Sequence, residues 1–214
     1  MDKNYWDNYY QSFGDDKNII KPSSFAQFIL DKYLTKKKLN IIELGSGNGR
    51  DAIFLAHHDH NIIAIDQSKI AMEVAKKKID PKVAEYFHPK ALDFVLEDYS
   101  EYMPIDIFYS RFSVHSITKS DELTLLPNIY NNLNDDGLFC IEVRTTKDPL
   151  FGVGESCGEN TFINNSHRRR FIDTKEFRSQ VSEIGFKERY FIEENNLSVV
   201  KNDNPTLMRI ILQK

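Results

Sequence analysis

Apolar and polar residues along the chain alternate in blocks that predict strands and helices in turn. The run Leu39–Leu44 (LNIIEL) ends in glycines, and Ala52, Ile53, Leu55 and Ala56 then recur at helical spacing, which predicts a strand, a tight turn and a helix. A second run, Asn61–Asp66 (NIIAID), leads through Ser68, a residue suited to cap a helix, into a helical stretch that closes on Lys76, Lys77 and Lys78. Further strands are expected near 86–92, 105–110 and 138–144. A helix is expected near 121–133, with Leu123, Leu126, Ile129, Tyr130 and Leu133 on its apolar side. Pro89 confines the first of these strands to an edge or a bulge. The tail predicts a helix carrying Phe177, Val181 and Ile184, stopped by Gly185, then strands near 187–193 and 206–213. Such alternation predicts an α/β domain, a mostly parallel sheet with helices on both faces.

Two segments depart from this rhythm. Tyr5, Trp6, Tyr9 and Tyr10 have helical spacing in an otherwise polar N-terminal stretch, and we expect a cap of about 1–35 over the carboxyl edge of the sheet. Residues 145–173 hold Pro149, glycine and asparagine turn formers and a basic cluster with no sustained period. That interval is expected to be a substrate lid loop. With 214 residues and no composition break, the chain is expected to be one domain, 1–214, burying roughly 70% of its unfolded surface.

Charge and cysteine content narrow the functional classes. The balance of 28 Lys+Arg against 32 Asp+Glu, a formal −4, gives no global attraction to nucleic acid or an anionic membrane. Cys140 and Cys157 are too few for a disulfide framework and lack metal-site spacing; residues 1–16 are polar and aromatic and no 18-residue apolar stretch occurs, so secretion and membrane spanning are not expected. A cytoplasmic protein without membrane or nucleic-acid partners is therefore expected, and no metal is assigned. Oligomeric state is not legible.

The chemistry concentrates at strand ends. Glu43-Leu-Gly-Ser-Gly-Asn-Gly49 places glycines at alternate positions, where backbone turns sharply and approaches a ligand closely. The spacing is GxGxG, and the third glycine of the dinucleotide GxGxxG pattern would fall at Arg50, which weakens a nicotinamide-cofactor reading. Asp66 ends the second strand, where a carboxylate can accept from both ribose hydroxyls of an adenosine, or simply cap the following helix. Leu92-Asp93-Phe94 ends the third and can offer a carboxylate to an adenine amino group.

Through E-L-G-S-G-N-G at 43–49, A-I-D at 64–66 and L-D-F at 92–94, the chain resembles the class I S-adenosylmethionine (SAM)-dependent methyltransferases over nearly its whole length. The resemblance implies a Rossmann-like, seven-stranded sheet whose last strand is antiparallel. It assigns Gly45 and Gly47 to the methionine end of SAM, or of its product S-adenosylhomocysteine, Asp66 to the ribose and Asp93 to the adenine. Glu43, Ser46, Asn48, Arg50, Asp51, Gln67, Phe94 and Ser110 complete the expected cofactor set.

The fourth strand runs into Arg111-Phe-Ser-Val-His-Ser116 in place of the N-P-P-Y type motif of DNA and glutamine amino-methyltransferases, which disfavours nucleic-acid bases as acceptors. Arg144 at the end of the fifth strand, Lys147, Arg169, Arg170 and His167 are expected to meet a small, anionic substrate, since guanidinium forks suit phosphate, although a solvated basic loop would look the same. Tyr5 and Tyr10 are expected at the methionine carboxylate or the substrate, or else only packed on the sheet. His115, His167 and Arg111 are the candidates for catalysis; a histidine base is needed only if the acceptor arrives protonated.

Tyr5–Tyr10, S-R-F-S-V-H at 110–115, I-E-V-R at 141–144, H-R-R-R-F at 167–171 and N-P-T-L-M-R at 204–209 are similar to small-molecule methyltransferases found with bacterial capsule and surface-glycan genes. The proposed acceptors of that group include the phosphoramidate that decorates capsules. An oxygen of a phosphoramidate- or phosphoryl-bearing capsule precursor is accordingly the expected acceptor. A small-molecule N-, O- or S-methyltransferase of other metabolism, an NAD-linked oxidoreductase and a non-catalytic partner subunit of the same fold are the alternatives.

Overall fold

The computed structural model describes residues 3–13, 21–35, 38–200 and 203–214; the remainder of the expected 1–35 cap lies outside the described residues. Two helices, α1 (Lys3–Phe13) and α2 (Ser24–Tyr33), precede β1 (Asn40–Leu44), α3 (Arg50–Ala56), β2 (Asn61–Asp66), α4 (Lys69–Lys78), β3 (Phe87–Ala91) and β4 (Ile105–Arg111). Then come α5 (Lys119–Asn132), β5 (Leu133–Arg144), three short strands β6 (Glu155–Gly158), β7 (Thr161–Asn164) and β8 (His167–Arg170), α6 (Thr174–Ile184), β9 (Lys187–Glu194) and β10 (Leu207–Gln213). No described helix is long and apolar enough to cross a membrane.

Seven strands form one sheet in the order β3-β2-β1-β4-β5-β10-β9, with β1 to β5 parallel and β10 antiparallel to both its neighbours. It is the doubly wound α/β architecture that the alternating pattern predicts. Side chains alternate between two buried layers, as a two-residue period requires. Ile42 and Leu44 of β1 join Phe108, Leu126 and Phe177 on one face, whereas Ile41 joins Phe25, Leu55 and Met72 on the other. Each such fully buried side chain is worth roughly 1.5–3 kcal/mol. Pro89 sits on the edge strand β3, where a missing N–H costs no ladder bond. Ser68 caps α4 by accepting from Ala71 N–H, and Gly185 ends α6 at φ +116°.

Two expectations are corrected. The interval 145–173 is not a structureless loop: β6, β7 and β8 pair as an antiparallel meander, tied to the main sheet by Thr145 and Ile172. Its strands are four residues long, too short for a sequence period to register. On α5, Leu123 is exposed, while Leu125 and the carboxylate of Glu122 are buried; Leu133 already begins β5. Apolarity alone misplaced the helix face because a buried ion pair occupies part of it.

The chain order places β2 on one side of β1 and β4 on the other. The crevice opens where the strand order reverses, at the carboxyl ends of β1 and β4.

Candidate active site

The turn after β1 is wound around two acceptors on β2. Gly45 and Ser46 N–H both donate to Ile65 O at 2.8 and 2.9 Å, and Gly47 N–H donates to Asp66 Oδ2 at 2.9 Å. Asp66 Oδ1 accepts from Ser68 N–H at 2.9 Å. Gly45 and Gly47 have φ of +69° and +56°, where a side chain is strained. A Cβ on Gly45 would lie 2.5 Å from Ser113 Cβ, and one on Gly47 would lie 2.1 Å from Tyr10 Oη. The glycines therefore let the segment after β4 and the helix α1 close directly onto the turn.

Three carboxylates are buried around it. Asp51 is fully engaged by Ser23 N–H and Oγ–H, both 2.7 Å, and by Tyr109 O–H at 2.8 Å, tying α2 to α3 and β4. Arg50 lies 3.6 Å from the same carboxylate. Glu43 is different: its Oε2 has no hydrogen-bond partner, and burial, then the neighbouring Asp51, pushes its carboxyl well above the usual range. Burial also raises Asp66, opposed by the Ser68 and Gly47 N–H bonds. Ser46 Oγ and Gln67 Nε2 are likewise buried without partners. Unpaired buried polar atoms cost about 1–3 kcal/mol each, so a cradle holding three of them suits a ligand that brings its own donors and acceptors. The ammonium, carboxylate and hydroxyls of SAM fit that set.

Other expected cofactor residues are spread around this cradle. Asn48 is buried within the turn, and Phe94 is buried with its ring 3.7 Å from the Cβ position of Gly45. Asp93 is exposed in the turn after β3, accepting from Val95 N–H at 3.0 Å. Ser110 Oγ meets Ser113 Oγ at 2.6 Å beneath the crevice. Helix α1 packs on α4, where Ser68 O–H donates to Asp7 at 2.5 Å.

On the acceptor side, several of the expected basic residues are already spent on partners. Glu142 is in register with Arg111 on β4 and Arg209 on β10, and its two oxygens take one guanidinium each, at 2.9 and 2.5 Å. Arg111 also donates to Ser198 at 2.6 Å and lies 4.1 Å over the ring of Phe112. Arg170 donates to Ile117 O, Val114 O and Glu122, the last at 2.6 Å, and is buried. Arg144 is clasped by Asp148 at 3.0 Å and by Asp203. Lys147 pairs with Glu193 at the exposed rim. Arg169, half-buried on β8, has no hydrogen bond or ion pair among the described residues.

His115, on a single 3-10 turn (Val114–Ser116), is buried, and its Nδ1 accepts from Arg144 N–H at 3.2 Å. His167 Nδ1 meets Tyr5 Oη at 3.1 Å, and its ring packs 5.2 Å from that of Trp6. Helix α1 thus bridges the glycine turn, through Tyr10, and β8, through Tyr5 and Trp6. Sequence reasoning passed over Phe112, which adopts φ +58° with its N–H on Glu142 O and its ring between Arg111 and His115. An aromatic directly after an expected strand end was the available signal. Among the described residues no group of three or more His, Cys, Asp or Glu is arranged to hold a metal ion.

A doubly wound seven-stranded sheet with a glycine turn after β1 and an acid ending β2 defines a class I SAM-dependent methyltransferase domain. The chain belongs to the methyltransferase-domain family, whose model matches residues 35–196. A candidate methyltransferase of Geobacillus sp. (strain WCH70) is 26% identical over 144 residues, 66% of this chain and 56% of that protein; the chain spans just over half the length of this curated relative. Among solved structures, a TehB-like SAM-dependent methyltransferase from Corynebacterium glutamicum superposes with TM-score 0.68 at 17% identity, covering 99% of this chain and 98% of that one. A SAM-dependent methyltransferase from Anabaena variabilis gives 0.73 at 17%, covering 99% and 94%. The Burkholderia thailandensis 1,6-didemethyltoxoflavin-N1-methyltransferase, solved with its acceptor and S-adenosylhomocysteine, gives 0.69 at 16%, covering 99% and 86%. These likenesses describe the fold.

Proposed function

We propose that this protein transfers the methyl group of SAM to an oxygen of a small anionic acceptor of the phosphoryl or phosphoramidate type. The observation that carries the anionic reading is Arg169. Its guanidinium is half-buried without a hydrogen bond or ion pair among the described residues, while Arg144, Arg111 and Arg170 all have theirs. Burial, then the charge of Arg144, pushes Arg169 below the usual arginine range, a penalty that an incoming anion relieves. Small-molecule acceptors are in keeping with the Burkholderia thailandensis enzyme, whose acceptor is 1,6-didemethyltoxoflavin.

SAM supplies an electrophilic methyl group on its sulfonium. Glu43, Ser46, Gln67 and Asp66 would hold its polar ends, and the glycines let Ser113 and Tyr10 close on the turn as walls of that cradle. The segment 110–115, packed on Gly45 through Ser113, is the wall against which the acceptor is aligned. Alignment alone contributes roughly 7–11 kcal/mol to such a displacement. Arg169 positions and partly neutralises the acceptor. Arg111 and Arg170 serve as positioning residues, one through Glu142 and the other through Glu122 and the carbonyls of the His115 turn.

A second reading rests on the aromatic cluster of α1 and β8, where the rings of Tyr5 and Trp6 pack on each other and on His167: a planar heteroaromatic acceptor would stack there. The two separate in one assay. Purified protein and SAM are offered a phosphorylated or phosphoramidate-bearing sugar, its neutral parent sugar and a neutral heteroaromatic, with S-adenosylhomocysteine release as the readout. Turnover of the phosphoryl compounds alone, with kcat/KM falling more than about tenfold in Arg169→Ala, is the expected result. Turnover of a neutral acceptor at an unchanged rate in that variant contradicts the anionic reading.

A further inference from the structure

The proton on His115 is fixed by its surroundings. A backbone N–H can only donate, so the bond from Arg144 N–H at 3.2 Å requires a lone pair on Nδ1. The neutral ring must then carry its proton on Nε2, and an imidazolium, with protons on both nitrogens, cannot accept that bond. The ring also packs against that of Phe112, centroids 5.5 Å apart and planes tilted by 32°. The charged and titratable groups bearing on it are Arg144 from β5 and His167, Arg169 and Arg170 from β8, none of them an acid. Burial first, then these cations, hold His115 well below the usual histidine range. Nε2 has no partner among the described residues.

We propose that His115 is a fixed hydrogen-bond donor to the acceptor, acting through Nε2–H, and that methyl transfer proceeds without a protein base at this position. The inference rests on the methyl-transfer reading and deepens it. A base needs a free lone pair facing the substrate, and the lone pair of His115 is committed to the backbone of β5. An acceptor oxygen that arrives as an anion needs no base. It forms its bond to the methyl carbon, the electron pair of the breaking sulfur–carbon bond returns to sulfur, and no proton changes hands. A neutral Nε2–H on a ring that feels the charge of the unpaired Arg169 is the donor for such an oxygen: it orients a lone pair without protonating it.

The test is long-range proton–nitrogen NMR on protein labelled at the imidazole nitrogens of its six histidines. The His115 signals are assigned by their loss in His115→Gln, and unchanged positions of the other five show that the variant folds. We expect a proton-free Nδ1 and a protonated Nε2, unchanged from about pH 6 to pH 9. With S-adenosylhomocysteine bound, added inorganic phosphate moves the Nε2–H proton downfield in the parent and not in Arg169→Ala. A proton on Nδ1, titration near the ordinary histidine value, or an Nε2–H that ignores phosphate overturns the proposal. Failure of S-adenosylhomocysteine to bind would instead remove the methyl-transfer reading, leaving the tautomer measured on free protein as it stands.

Discussion

Asp66 holds the glycine turn closed: Gly47 N–H and Ser68 N–H each donate to one of its oxygens at 2.9 Å. One carboxylate thereby fixes both the turn after β1 and the start of α4. Asp66→Ala leaves two buried N–H groups unpaired, at about 1–3 kcal/mol each. The melting temperature should fall and S-adenosylhomocysteine affinity drop by more than tenfold, as read by calorimetry; an unchanged affinity would show that this carboxylate does not meet the ligand.

Glu43 makes ligand-free stability depend on pH. Burial raises its folded-state pKa, so between the ordinary carboxylate value and that raised value the folded chain keeps a proton the unfolded chain has lost. Stability therefore falls as pH rises through that window, and Asp66 adds in the same direction. Glu43→Gln should flatten part of the slope and raise the melting temperature near neutral pH, while weakening cofactor binding. Melting curves across the pH range decide it, and a steeper slope in the variant would contradict the sign.

Arg170 and Arg169 are neighbours in sequence with opposite expected phenotypes. Arg170 and Glu122 form a buried pair at 2.6 Å, and removing one partner should cost about 3–5 kcal/mol, with the double change Arg170→Met, Glu122→Leu recovering much of it. Arg169→Ala should cost less than about 1 kcal/mol and act on acceptor affinity instead. Equal destabilisation by both single variants would place Arg169 in the same structural network.

Helix α1 rests on the turn through Tyr10, whose hydroxyl would lie 2.1 Å from a Cβ at Gly47. Gly47→Ala should therefore dislodge α1 as well as strain the turn. Trp6, the single tryptophan, packs against His167 and reports this directly: its emission should shift to the red in the variant. Unchanged emission would mean that α1 tolerates the added methyl.

The strands and helices of the main sheet were legible because Asn61–Asp66 is an unbroken apolar run between polar flanks and Thr174–Ile184 carries its apolar residues at helical spacing before a glycine stop. The glycine turn and Asp66 were legible because few residue types serve where a backbone must turn or a helix must be capped. What the sequence did not disclose is how charges are shared out. Arg111, Arg144, Arg169 and Arg170 look alike in one dimension, and only folding shows that Glu142, Asp148 with Asp203, and Glu122 claim three of them. The meander at 155–170 was hidden by strands too short to show a period, and the outward turn of Leu123 by a buried carboxylate that apolarity does not register.

Titration calorimetry of the purified, folded protein with S-adenosylhomocysteine shows whether the glycine turn and Asp66 hold an adenosyl ligand. Saturable binding at micromolar concentrations, one ligand per chain and lost in Asp66→Ala, is the predicted result. Absence of heat with both S-adenosylhomocysteine and SAM, from protein whose melting curve shows it folded, would mean that this turn binds no adenosyl ligand.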